Sequence, residues 1–312
     1  MQVMITGCAG FIGSHAVETF IINGHKVVGV DSLTYAADKN NMASFIDQID
    51  FYKKNICDTS EILRIVKKHN IDWIINFAAE SHVDNSIKSC TKFIDSNISG
   101  TASLLRVCKE ASINILHVST DEVYGSKKEG SFVETDMLRP KNPYSATKAA
   151  AEHLISAYEN TFGINAIIVR MSNNFGPRQN KEKLVPVVLS ALLAGKRIPV
   201  YGDGKNIRDW FYVKDCANMI YTAFSKGTCG ETYNLTNKNE MTNLDIINTI
   251  CKMCNKDPEK NIMFIKDRPG HDFRYSISNS KIKSLGIENP TNFKEAISET
   301  INFYFSDVND EK

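Results

Sequence analysis

Gly7, Gly10 and Gly13 stand three residues apart, directly after a short apolar run at 2–6 and at the start of a helical pattern at 11–22. No other feature narrows the possible folds as much. In such a turn the first glycine permits the tight bend, the second lets the backbone approach a pyrophosphate, and the third allows helix and strand to pack closely. The phosphates then sit on the helix N-terminus. A glycine triplet alone is weak, and the spacing here is G-x-x-G-x-x-G. Its place between strand and helix makes it specific, as does Asp31 at the end of the next apolar run. A carboxylate there accepts from a ribose diol and repels a 2′-phosphate, which points to NAD over NADP. A purely structural Gly-rich turn would leave Asp31 unexplained.

Strands are predicted over 2–6, 26–30, 51–53, 73–77, 115–119 and 166–171, and helices over 11–22, 59–69, 91–111 and 144–162. Several of these strands are continuous apolar runs, the pattern of strands buried on both faces of a parallel sheet. Strand–helix alternation implies right-handed βαβ units and a doubly wound, Rossmann-type α/β sheet. After Asn174 glycine, proline and asparagine become frequent, and helices over 183–193, 215–225, 242–254 and 293–305 are separated by short strands. The expected division is an NAD-binding domain at 1–173 and a smaller α/β substrate domain at 174–312, with a return to the first at 206–236.

Net charge is +1 in 312 residues, so nothing draws the chain to nucleic acid or an anionic membrane. No run of eighteen apolar residues is present, and the N-terminus lacks a basic region and a cleavage site; a cytoplasmic protein is expected. The 8 cysteines lie mostly in apolar stretches, and the lone C-x-x-C of Cys251 and Cys254 has no second ligand pair, so no metal site is expected. The tail beyond 307 is polar and expected to fray.

Tyr144 and Lys148 lie one helical turn apart on one face. Half-ionising a tyrosine at neutral pH takes about three pKa units, roughly 4 kcal/mol. One cation about 4 Å away supplies that much at an effective dielectric of about 20. Tyr144 can thus act as a base on a hydroxyl, with Lys148 and an oxidised nicotinamide as cations. Ser119, Thr120, Asp121 and Glu122 end the fifth predicted strand, at the carboxyl edge where such sheets bind ligands. Two adjacent carboxylates there suit an acid and a base on neighbouring carbons, one protonated and one ionised. The plain alternative is an acidic turn.

These segments, together with Ala-Ala-Glu-Ser-His-Val-Asp at 78–84, Ser-Asn-Asn-Phe-Gly-Pro at 172–177, Glu182-Lys183-Leu184, Arg208-Asp209-Trp210 and Asp-Arg-Pro-Gly-His-Asp at 267–272, resemble the dTDP-glucose 4,6-dehydratases of the extended short-chain dehydrogenase/reductase superfamily. The matches keep the family's order from residue 1 to about 275, and Thr120-Asp121-Glu122 is their most specific element. The resemblance implies that Tyr144, assisted by Thr120 and Lys148, deprotonates the C4 hydroxyl while hydride passes to NAD. Glu122 then takes the C5 proton, Asp121 protonates the departing C6 hydroxyl, and hydride returns to C6. The product would be a 4-keto-6-deoxy sugar.

The same resemblance assigns cofactor contacts to Gly7, Gly10, Phe11, Ile12, Gly13, Asp31, Ser32, Leu33 and Thr34. It extends them to Asn55, Ile56, Phe77, Ala78, Ala79, Ser81, Ser96, Tyr144, Lys148 and Asn174. It assigns contacts with a nucleotide-diphosphate hexose to Ser81, Thr120, Asn173, Lys183, Leu184, Pro199, Tyr201, Arg208, Asn243 and His271. Arg208 also makes independent sense, since a guanidinium binds a diphosphate bidentately. Three departures, Asn55 for Asp, Asn85 for Arg and Phe175 for Tyr, bear on the nucleotide and sugar; the last two are expected near the cleft.

A 4-epimerase would share everything except the acidic pair, and a silent NAD-binding protein would need none of the five catalytic candidates. Thymine against uracil, and glucose against N-acetylglucosamine with C5 inversion, stay open; Asp121-Glu122 in place of Asp-Lys favours glucose. Helices at 91–111 and 144–162 carry more apolar surface than one sheet face covers, which points to a homodimer through a four-helix bundle.

Overall fold

A computed structural model describes residues 1–267, 272–287 and 289–310, with side chains up to 306. The first half alternates: β1 (Gln2–Thr6), α1 (Phe11–Ile22), β2 (Lys26–Asp31), β3 (Asp50–Lys53), α2 (Thr59–His69), β4 (Trp73–Asn76), α3 (Val83–Lys88), α4 (Thr91–Phe93), α5 (Gly100–Ala111), β5 (Asn114–Thr120), α6 (Pro143–Phe162) and β6 (Ala166–Met171). There follow β7 (Asn173–Phe175), α7 (Leu184–Leu193), β8 (Ile198–Tyr201), β9 (Ile207–Tyr212), α8 (Val213–Lys226), β10 (Thr232–Leu235), β11 (Glu240–Thr242), α9 (Asn243–Met253), α10 (Pro258–Asn261), β12 (Ile262–Ile265), α11 (Ser280–Lys283) and α12 (Phe293–Asp310).

Seven parallel strands form one sheet in the order β10-β6-β5-β4-β1-β2-β3. Successive side chains of a strand point to opposite faces, and both faces are filled. Val3, Ile5, Trp73, Ile75, Leu116 and Val118 meet α1 and α8 through Val17, Phe20, Ile220 and Phe224. Met4, Val28, Ile74, Ile115 and Ile168 meet α2, α5 and α6 on the other side. This is the Rossmann-type architecture expected from the apolar runs. The chain runs β1-β2-β3 one way and β4-β5-β6 the other, so a crevice opens between the ends of β1 and β4.

A second core gathers α7, α9 and α12 over the three-stranded sheet β11-β9-β7 and the pair β12-β8. Phe11 and Ile12, at the start of α1, pack against this second core. The helix expected over 91–111 is interrupted: Ile94–Ser99 between α4 and α5 is π-helical. The wider turn brings Asn97 to Glu80, whose N–H it accepts at 2.8 Å and whose carbonyl it binds at 3.0 Å; it also donates to Thr147 Oγ1 at 2.9 Å. The fourth strand stops at Asn76 rather than 77. Among the described residues no helix is long and apolar enough to cross a membrane.

Candidate active site

Two cavities, of about 290 and 440 Å³, meet over the crevice at Gly7, Gly10, Tyr35, Ala36, Phe77 and Ala79. The glycine turn is close-packed where it must be. Gly7 has φ 69°, and a Cβ on it would lie 2.8 Å from Ala78 N. One on Gly13 would run into the Gly7 carbonyl. Gly10 faces both cavities, and no side chain caps α1 there, so the positive end of the helix meets the crevice. Asp31, at the end of β2, closes the larger cavity. Its carboxylate accepts from Ala9 N at 3.0 Å and Leu33 N at 2.7 Å, so it also braces the glycine turn.

The smaller cavity gathers most of the catalytic candidates: Thr120, Glu122, Tyr144 and Lys148. β5 ends on Thr120, and a 3₁₀ turn, Asp121–Tyr124, carries the acidic pair. Thr120 Oγ1 donates to Asp121 Oδ1 at 3.3 Å, accepts from Glu122 N at 3.3 Å, and lines the same cavity as the Tyr144 phenol. Asp121 is 3% exposed and its Oδ2 has no partner. Burial first, then the charges of Glu122 and Asp209, hold its carboxyl well above the usual range; Arg208 and Thr120 oppose them. Burial of this kind favours the neutral carboxylic acid over the carboxylate. Glu122 is half-buried and accepts from Asn142 Nδ2 at 2.9 Å. Asn142 also caps α6, so one asparagine aims both the carboxylate and the helix that carries Tyr144.

Burial, Glu122 and Asp121 push the Tyr144 phenol up, and the Thr120 hydrogen bond alone pulls it down. The Lys148 amine does not bond to the phenol; it donates to Val118 O at 2.7 Å and lies 3.1 Å from His117 Nε2. Burial lowers Lys148 to about 8, with Glu152 acting against it. The single nearby cation expected from the sequence does not lower the phenol here, because the Lys148 amine is turned to the Val118 carbonyl.

Every residue expected to hold the cofactor lines one of the two cavities except Leu33, whose backbone (φ 53°) supports Asp31 instead. Of those expected to hold the sugar nucleotide, Ser81, Thr120, Asn173, Lys183 and Leu184 line the smaller cavity. Pro199, Tyr201, Arg208 and Asn243 do not; they stand on β8, β9 and the start of α9. Arg208 is buried, bonded to the carbonyls of Ile207, Asp272 and Phe273 and stacked on the Tyr275 ring. His271 lies outside the described residues. Phe175, expected near the cleft, is instead fully buried in the second core against Tyr212 and Phe293. Asn55 Oδ1 already accepts from Cys57 N at 2.9 Å.

Residues 4–300 match the family model of GDP-mannose 4,6 dehydratase. The chain belongs to that family. It is 41% identical to the dTDP-glucose 4,6-dehydratase of Xanthomonas campestris pv. campestris, over 97% of this chain and 93% of that one. The structure superimposes on DesIV, a dTDP-glucose 4,6-dehydratase from Streptomyces venezuelae solved with NAD bound, with TM-score 0.95, 36% identity, and 99% and 98% of the two chains covered. A UDP-glucose 4-epimerase from Thermotoga maritima shares the fold at TM-score 0.92 but only 26% identity, over 99% and 100% of the chains.

Three site residues escaped the sequence reading. His117, fully buried on β5, sits between Lys148 and Asn76. Glu152, one turn beyond Lys148, accepts from Ser119 Oγ at 2.5 Å and pairs with Arg170 at 2.6 Å. The third is Asn142. The usable signal was charge out of place: Glu152 lies in an apolar helix face and Arg170 in an otherwise apolar strand.

Proposed function

We propose that the chain is an NAD-dependent nucleotide-sugar 4,6-dehydratase that converts an NDP-hexose to the 4-keto-6-deoxy sugar, with dTDP-glucose or UDP-glucose as the favoured substrates and UDP-N-acetylglucosamine as the remaining one. The carrying observation is the buried Asp121, whose carboxyl burial pushes up, beside the half-buried Glu122, with Thr120 bonded to both and Tyr144 on the same cavity wall as Thr120 and Glu122. The residues fit NAD: an uncapped helix start for the pyrophosphate, Asp31 for the ribose, and on the cavity wall that also carries Tyr144 the residues Asn173 and Asn174, each with a buried, unpartnered side-chain oxygen. NAD bound there would take hydride from C4 and give it back at C6. Tyr144 receives the C4 hydroxyl proton, and Thr120 stabilises the phenolate. Glu122, steadied by Asn142, removes the C5 proton. Asp121 gives its proton to the leaving C6 hydroxyl, and Glu122 returns a proton to C5. Each such proton transfer is worth about 10² to 10⁴ in rate. A 4-epimerase would have no work for a protonated acid at this place.

The test is direct. The chain with NAD is incubated separately with dTDP-glucose, UDP-glucose and UDP-N-acetylglucosamine, and products are weighed by mass spectrometry. Loss of one water from at least one is expected. Epimerisation without mass change, or no conversion of any, would overturn the reading.

The protein is further proposed to be cytoplasmic and a homodimer. The described cysteines are all free, as a reducing compartment allows. Ile87, Ile94 and Phe162 leave apolar side chains exposed on the α3–α6 side of the molecule, a surface suited to a second copy. Sedimentation at micromolar concentration should show a dimer; a monomer would refute it.

A further inference from the structure

The reaction just proposed, on which this inference rests, leaves two groups of the chain in the wrong state after every turnover. Tyr144 has gained the C4 hydroxyl proton. Asp121 has given its proton to the departing C6 oxygen, which leaves as water. Glu122 has taken a proton from C5 and returned one, so it is unchanged. Hydride has gone out and come back. Substrate atoms are fully accounted for by the keto sugar and water. What remains is one proton too many on Tyr144 and one too few on Asp121.

We propose that the Thr120 hydroxyl carries this proton from Tyr144 to Asp121 and so resets the site for the next turnover. A hydroxyl has one proton to give and two lone pairs. Thr120 donates to Asp121 Oδ1 at 3.3 Å and accepts from Glu122 N at 3.3 Å, which leaves one lone pair for the Tyr144 phenol on the same cavity wall, where Thr120 is the group that lowers the phenol. In the spent state Tyr144 donates to Thr120 and Thr120 donates to the Asp121 carboxylate. The Tyr144 O–H bond breaks as a new Thr120 O–H forms, while the old Thr120 O–H breaks as Asp121 O–H forms. One proton enters the threonine as one leaves, and no electrons are exchanged. Afterwards Asp121 donates to Thr120 and Thr120 to the phenolate, which is the arrangement the first step requires. The Glu122 N–H holds the oxygen in place in both states.

Asp121 has no competing route within the protein. It is 3% exposed, its Oδ2 lacks any partner, and Thr120 is the one side chain that bonds to its carboxyl among the described residues. The burial that raises Asp121 also favours a proton settling on it.

Thr120→Val removes the hydroxyl at nearly constant shape, Thr120→Ala does so should the valine not fold, and Thr120→Ser keeps it. The enzyme is equilibrated with NAD, mixed with an excess of whichever of the three nucleotide sugars above loses water, and quenched at intervals. Thr120→Val should form one equivalent of product per site and then turn over at least about tenfold more slowly than in that first cycle, within the range of a single proton-transfer group. Thr120→Ser should show no such break. In infrared difference spectra the Asp121 carboxylic-acid band, identified by its absence in Asp121→Asn, should vanish after the first cycle of Thr120→Val and return slowly. Equal slowing of first and later turnovers would confine Thr120 to the oxidation step and overturn the proposal, as would a full steady-state rate in Thr120→Val. Failure of the unaltered chain to release water from any of the sugars would overturn the dehydratase reading instead.

Discussion

Lys148 is held by neighbours that also decide its charge. Its ammonium can donate to His117 Nε2 only if the ring proton sits on Nδ1, yet Asn76 Nδ2, itself a donor, faces Nδ1 at 3.0 Å. A charged Lys148 therefore requires the Asn76 amide turned over, with its oxygen toward the ring. Glu152 keeps the ammonium worthwhile. Glu152→Gln should lower the Lys148 pKa further from about 8, because it removes the charge that raises it, so the alkaline limb of the kcat profile should move to lower pH. It should also cost about 3–5 kcal/mol, since it leaves Arg170 buried without its partner. The exposed Lys67–Glu110 pair should be worth about 0–1 kcal/mol, and chemical denaturation measures both. In the acidic pair, Asp121→Asn and Glu122→Gln should both still oxidise C4 but release little deoxy product. Exchange of the C5 hydrogen with deuterated solvent should persist in Asp121→Asn and fall sharply in Glu122→Gln; equal exchange would reverse the two roles. Asp121, Glu122 and Tyr144 stood out in the sequence because each lies in a short motif at a strand end or along one helix turn. It hid His117 and Glu152, whose partners are 31 and 18 residues away in the chain.

At the scale of elements, the turn between β1 and α1 separates two uses of glycine. Gly13→Ala would force a methyl into the Gly7 carbonyl, where only backbone could yield, and should cost at least about 3 kcal/mol. At Gly10 the nearest obstacle is the same carbonyl at 3.2 Å, so Gly10→Ala should stay within about 1 kcal/mol of the parent while losing dinucleotide binding. Thermal melts and a dinucleotide titration on both variants would separate packing from recognition; similar melts and similar binding in the pair would contradict it. The strands and long helices were legible because period-2 and 3.6 patterns are local. The π-helical Ile94–Ser99 was not, since its cause is Asn97 reaching Glu80, and Val83–Lys88 is too short for a period to register.

For the whole molecule, the parallel sheet and its two covered faces followed from apolar runs alternating with helices. The placement of Phe175 and Arg208 did not, because which core a side chain joins depends on distant strands. The core around β1 and α1 is completed by Phe211, Cys216, Ile220, Phe224, Tyr233 and Leu235, and β10 forms the seventh strand beside β6. The nascent chain therefore carries its glycine turn out of the ribosome some two hundred residues before that turn has a floor. Until then Phe20 and the outer edge of β6 are uncovered, the kind of surface that chaperones bind. A chain released at residue 173 should accordingly fail to give a cooperative melt and should aggregate, whereas one extended through residue 236 should recover protection of the β1 amides from hydrogen exchange.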